Sequence, residues 1–119
     1  MKKEYGFDTL QVRAGYTPEA TTGAFVTPIY QTAGYQFESV ADAVAQFELQ
    51  KPGSIYSRIN NPTVASLENR LTALEKGVGT VCFASGMAAI VAAILTLSES
   101  GSEIVAMSKL YGGTYTLLF

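Results

Sequence analysis

"GVGTVCFASGMAAIVAAILTL", residues 77–97, decides how the rest of this chain is read. Its apolar run over residues 78–84 holds β-branched Thr80 and Val81 beside Cys82 and Phe83. Ser85 and Gly86 follow, and then an Ala, Ile, Val and Leu segment that no Gly or Pro interrupts. The pattern predicts a buried strand, a tight turn and a helix. At such a junction the first free N–H groups of the helix point at one spot, and the macrodipole favours an anion there. The stretch reads as a phosphate seat, although the same strand–Gly–helix junction also occurs for packing alone.

The surrounding composition narrows the choice. The 119 residues suffice for one small domain and are too few for two. With 48% apolar and 15% charged residues the chain is globular, without a disordered or low-complexity tract. Eight basic and ten acidic residues give a net charge of −2, with no basic block of the kind that nucleic acid calls for. The apolar run at residues 87–95 is too short to span a bilayer, so no membrane partner is expected. The opening "MKKEYGFD" lacks the apolar core of a signal peptide. Cys82, the single cysteine, lies inside the predicted strand, so a disulfide framework is excluded and a reducing cytoplasm is the expected location. The absence of histidine excludes His-based triads and His-ligated metals within these residues, and one cysteine offers no zinc set.

Upstream of the opening stretch, residues 62–76 have the clearest helical period, with Val64, Leu67, Leu71 and Leu74 in a stripe. Asn61 is placed to cap that helix, Pro62 to open it and Gly77 to stop it. "FESVADAVAQFEL" predicts another helix, with Ser39 as N-cap and Val40, Val44 and Phe47 on one face. "YGFDTLQVRAG" predicts a short one, capped by Asp8 and stopped by Gly15. Between these, residues 16–34 are rich in Thr, Gly and Pro and read as an irregular arm with no core of its own. Such an arm is expected to lie across another part of the fold or another subunit.

Downstream, the helix of the opening stretch is expected to end near Glu99 to Gly101, and "EIVAM" at residues 103–107 predicts a second strand. Strand, helix and strand make one βαβ unit with parallel strands and a right-handed crossover. Parallel sheets are covered on both faces and need more strands than two. Together with "TYTLLF" at the end, inside what reads as the next helix, this makes the chain the expected N-terminal piece of a larger α/β protein.

Three segments carry chemistry: "IYSR" at residues 55–58, "ASGMAAI" at 84–90 and "LYGGTY" at 110–115. Arg58, on a loop, can donate a forked pair of charge-assisted hydrogen bonds to a phosphate. Tyr56 adds a hydroxyl donor. Tyr111 follows the second predicted strand, where open α/β sheets bind ligands, and its ring could stack on a planar cofactor. Each has a plainer reading: a surface ion pair for Arg58, half-buried packing for Tyr56, a loop anchor for Tyr111. The glycines of "ASGMAAI" do not give the G-x-G-x-x-G spacing of a dinucleotide site.

"YSRINNPT", "SGMAAI" and "LYGGTY", in this order and spacing, resemble the Cys/Met-metabolism (trans-sulfuration) group of pyridoxal-5′-phosphate enzymes, of the aspartate-aminotransferase-like fold type I. The resemblance runs through essentially the whole chain. "TLQVRAG", "TTGA" and "PIYQTAGYQF" bring it nearest the branch that adds sulfide to O-acetylhomoserine. Cystathionine γ-synthase, cystathionine lyases and methionine γ-lyase share the phosphate and ring motifs.

The resemblance implies pyridoxal phosphate as cofactor, with Ser85, Gly86 and Met87 at its phosphate and Tyr111 against its ring. The Tyr111 hydroxyl would assist proton transfer at the leaving group. Tyr56 and Arg58 would reach the phosphate of a neighbouring subunit, in a homotetramer whose active sites are shared across dimer interfaces. The implied reaction replaces the γ-acetoxy group of a small-molecule substrate, an O-acyl-homoserine, with sulfide or a thiol. Homocysteine and acetate would be the products of the acetyl ester with sulfide. Residues 1–61 would form the arm and helices that make inter-subunit contacts, and residues 62–119 the start of the cofactor-binding large domain. The lysine that holds the cofactor and the aspartate that pairs with its ring nitrogen lie further along in this family. Lys2, Lys3, Lys51, Lys76 and Lys109 match no catalytic position, so the 119 residues alone are expected to be inactive. The alternatives are another trans-sulfuration enzyme (cystathionine γ-synthase, a cystathionine lyase or methionine γ-lyase) or a non-catalytic truncated fragment. Arg13 stands where relatives often have histidine.

Overall fold

Ser39, Asn61 and Ser85 each stand in extended backbone conformation just before a helix. Each side chain accepts a backbone N–H two or three residues on, from Asp42, Thr63 and Ala88. Ser39 and Asn61 are the caps expected from sequence, Ser85 is a third that the structure adds, and together they fix where the principal helices begin. The structure, a computed structural model, describes residues 5–119; Lys2 and Lys3 lie outside them. Its elements are α1 (Phe7–Arg13), α2 (Val40–Phe47), α3 (Pro62–Glu75), α4 (Gly86–Leu97) and α5 (Gly112–Leu118). They fall into two compact units, Met1–Val81 and Cys82–Phe119.

In the first unit the arm is laid along α3 by polar groups. The Thr63 hydroxyl accepts from the Tyr30 N–H and donates to the Pro28 carbonyl, both at 2.9 Å. One turn further, the Thr27 and Ser66 hydroxyls meet at 2.7 Å. Arg70 Nε donates to the Ala14 carbonyl at 2.9 Å. Residues 63, 66 and 70 share one face of α3 by their spacing. Gly15 permits the approach: its φ is +85°, and a Cβ there would lie 2.2 Å from the Ser66 carbonyl oxygen. The expected stripe of α3 is divided: Val64 and Leu67 are exposed, while Leu71 and Leu74 are half-buried. The sequence period found the helix, but the face that the arm covers is the polar one.

Two helix ends differ from expectation. Gly6, not Asp8, is the N-cap of α1. Because the helix starts two residues early, Asp8 falls in its first turn, where its charge suits the helix dipole. At the end of α3, Lys76 takes the left-handed conformation expected of Gly77, with φ 53°. Gly77 instead donates its N–H to the Thr72 carbonyl at 3.0 Å.

The larger difference concerns the strands. The order of segment, helix and segment is kept, and α4 ends at Leu97, capped by Ser98. Neither residues 78–84 nor 103–107 pair in a ladder, and among the described residues the one β-bridge joins Gly34 to Tyr56. β-propensity is expressed only against neighbouring strands, and Val78 and Val105 stand wholly exposed. Among the described residues no hydrophobic side chain is fully buried; the buried ones are Gln46, Asn61, Ser66 and Thr114. No helix of the described residues is long and apolar enough to cross a membrane.

Candidate functional site

In the second unit, α4 begins with Gly86 and Met87 as its first two residues. The Ser85 hydroxyl takes the Ala88 N–H at 3.2 Å and the Ser85 carbonyl takes that of Ala89 at 3.1 Å. The N–H groups of Gly86 and Met87 are thereby left without an acceptor among the described residues, as the first turn of a helix requires. They border a cleft of about 520 Å³ lined by Ser85, Gly86, Met87, Ile90, Tyr111 and Thr114. Nothing stands within 4 Å of where a Gly86 Cβ would be, so a ligand can come up to the backbone there.

Tyr111 reaches the same cleft as the N-cap of α5. Its ring is seated by Gly113, where a Cβ would come within 2.9 Å of the ring and 3.3 Å of Met87 Sδ. Thr114 closes the floor: it is buried, and its hydroxyl points to Met87 Sδ at 3.8 Å. Tyr111 is 75% exposed, which leaves a face of its ring for a planar ligand. The fold therefore brings Ser85, Gly86, Met87 and Tyr111 to one cleft.

Tyr56 and Arg58 belong to the first unit. The loop that carries them is held on three sides. Ile59 and Asn60 donate their N–H groups to the Tyr56 carbonyl at 2.8 and 3.0 Å, which closes a turn around Arg58. The Ser57 N–H donates to the Ala33 carbonyl at 2.8 Å, and its hydroxyl donates to the Thr32 carbonyl. Asn61 Nδ2 donates to both the Ser57 hydroxyl and the Tyr30 carbonyl, each at 2.9 Å. The Arg58 guanidinium lies 5.6 Å from the Tyr56 ring centroid, and among the described residues no carboxylate pairs with it. The surface ion pair open to Arg58 from sequence is not formed here.

The start of this loop is fastened by Lys51, whose ammonium reaches Asp42 at 2.5 Å and Glu38 at 3.9 Å. The Lys51 hydrogen bond, helped by the Glu38 N–H, holds the Asp42 carboxyl below its ordinary 3.8. The Asp42 hydrogen bond and then its charge raise Lys51 above its ordinary 10.5.

Sequence reasoning passed over Ile90, Gly113 and Thr114 at the cleft, and over Ser57 and Asn61 as fasteners of the Arg58 loop. The paired glycines after Tyr111 were the available signal. A small residue beside an aromatic one marks a place where the ring can lie flat on the backbone.

Comparison with known proteins places these features in a family. Residues 8–119 match the model for Cys/Met metabolism PLP-dependent enzymes. The chain is 46% identical over 114 residues to the O-acetyl-L-homoserine sulfhydrylase of Corynebacterium glutamicum, covering 96% of itself and 26% of that protein. It is 50% identical over 109 residues to O-acetyl-L-homoserine sulfhydrylase 1 of Thermus thermophilus, covering 92% of itself and 26% of that protein. A Campylobacter jejuni structure described as an O-acetylhomoserine (thiol)-lyase, holding a pyridoxyl-lysine phosphate, superposes with a TM-score of 0.89 at 40% identity. That match covers 96% of this chain and 28% of the other. The chain spans about a quarter of the length of the curated relatives it matches.

Proposed function

Since the chain belongs to the Cys/Met metabolism PLP-dependent enzymes and has the fold of their N-terminal part, we propose that it is the N-terminal part of an O-acetylhomoserine sulfhydrylase. Such an enzyme exchanges the γ-acetoxy group of its substrate for sulfide and yields homocysteine and acetate. The carrying observation is the cleft of the second unit, where two acceptor-free N–H groups, Gly86 and Met87, open beside the exposed ring of Tyr111. A phosphorylated aromatic cofactor asks for that combination: donors at a helix N-terminus for the phosphate and a flat ring for the heterocycle. Identities of 46% and 50% to proteins of that name support the choice of reaction.

Pyridoxal phosphate, when bound, supplies the electron sink that such a γ-replacement needs. The chain's own residues bind and orient it. Gly86 and Met87 donate their N–H groups to the phosphate, while Ser85 holds the first turn of α4 in register. Tyr111 stacks on the ring and holds a proton on its hydroxyl for the departing acetate. Tyr56 and Arg58 serve the phosphate of a neighbouring subunit within a homotetramer, which accounts for a guanidinium with no carboxylate partner among the described residues. The lysine that carries the cofactor and the aspartate at its ring nitrogen come from other parts of the protein. Residues 1–61 form the inter-subunit arm and helices, residues 62–119 open the cofactor-binding domain, and the enzyme works in the cytoplasm.

The test is the reaction itself, run with the protein purified at its full coding length. Given O-acetylhomoserine and sulfide, it should form homocysteine and acetate in equal amounts. Acetate released without uptake of sulfide would overturn the sulfhydrylase reading.

A further inference from the structure

Gln46 is the one side chain among the described residues whose buried polar atom lacks a partner. It sits on α2 and is only 8% exposed. Its Nε2 donates to Asp42 Oδ2 at 3.0 Å, which orients the amide and turns Oε1 the other way. Gly53 lies against it: a Cβ on that residue would lie 2.0 Å from Gln46 Oε1 and 2.3 Å from its Cδ. The amide thus lies against a glycine, and any side chain at residue 53 would have to push the end of the Gln46 side chain aside. Gly53 in turn accepts through its carbonyl from Asn60 Nδ2, and Asn60 Oδ1 accepts the Ile55 N–H at 3.1 Å. Asn60 also closes the turn on the Tyr56 carbonyl at 3.0 Å. A continuous line of contacts therefore runs from Asp42 and Gln46 through Gly53 and Asn60 to the turn that presents Tyr56 and Arg58.

We propose that Gln46 and Gly53 are positioning residues that set where the loop over residues 53–60 holds Tyr56 and Arg58 for their phosphate. Gln46 tolerates an unmatched acceptor because the amide acts as a spacer between α2 and the loop. Gly53, without a Cβ, lets the loop rest on the amide without moving it. The inference deepens the proposed function and rests on Arg58 being a phosphate ligand.

Its test measures the dissociation constant for pyridoxal phosphate and the melting temperature of the full-length protein. Arg58→Ala should weaken the cofactor about tenfold or more. Gly53→Ala, which drives a methyl group into the Gln46 amide, should weaken it by about tenfold through displacement of the loop. Gln46→Ala combined with Gly53→Ala removes the collision and should bring affinity back to within about threefold of the parent. That recovery is a signature that general loss of stability would not give. Should Gly53→Ala alone fail to fold, Gln46→Ala alone still reports, with affinity lowered while the melting temperature holds. Parental affinity in Gly53→Ala or in Gln46→Ala, or no recovery in the double variant, would overturn the inference while Arg58→Ala remains weak. Parental affinity in Arg58→Ala would bring down the phosphate reading of that residue and this inference with it.

Discussion

The two units of this chain hold themselves together by different means. In the unit Met1–Val81 an arm without regular structure is fastened to α3 and to the Arg58 loop by side-chain hydrogen bonds at Thr27, Thr63, Ser66, Arg70 and Asn61. In the unit Cys82–Phe119, α4 meets α5 around Met87, Gly113 and Thr114, and the apolar α4 buries no residue fully. Polar seams are directional and complete within the chain. Apolar faces are non-directional and stay open until something covers them. The first unit is therefore where substitutions should cost stability. The second is where they should change ligand binding.

The largest effect on stability is expected at Gly15. With φ at +85° and a Cβ colliding with the Ser66 and Arg70 backbone, Gly15→Ala should cost about 3 kcal/mol in urea unfolding of the full-length protein. Parental stability would break the claim that the arm is fastened to α3. Asn61→Leu comes next. It removes the α3 cap and the two Nδ2 bonds, and should cost about 2 kcal/mol by the same measurement. In the second unit, Gly113→Ala pushes the Tyr111 ring off its seat. It should weaken pyridoxal phosphate by about tenfold while stability changes by less than about 1 kcal/mol. A large stability loss with intact binding would reverse the contrast between the units.

The smallest effect belongs to the Asp42–Lys51 pair, in which the Lys51 side chain is half exposed. The lowered Asp42 carboxyl contributes stability in full above 3.8, and that share fades as pH falls through its folded value. The raised Lys51 contributes below 10.5 and fades as pH climbs through its own folded value. Asp42→Asn should accordingly lose a little stability at neutral pH, and the gap to the parent should close in acid. A gap that stays constant from neutral pH down into acid would contradict the assignment.

The same contrast explains what could be read from residues alone. Ser39 and Asn61 were legible as caps because a cap depends on neighbours two or three positions away. The left-handed turn at Lys76 was not, since Gly77 beside it was the better candidate by conformational freedom. The strands at residues 78–84 and 103–107 have the right residues but no ladder, because a strand is defined by its neighbours and not by itself. Ser85, Gly86, Met87 and Tyr111 were legible as a group through their motifs. Gly53 and Gln46 were not, because their meeting depends on how the loop folds back on α2.

Gly86→Pro tests the central claim, that the N-terminus of α4 holds the cofactor phosphate, most directly. Gly86 is the first residue of the helix and Ser85 before it is extended, so proline fits both and deletes one N–H without breaking α4. The dissociation constant for pyridoxal phosphate, measured on the full-length protein with helix content checked by circular dichroism, should rise by about tenfold or more. Unchanged affinity in a correctly folded Gly86→Pro protein would contradict the claim.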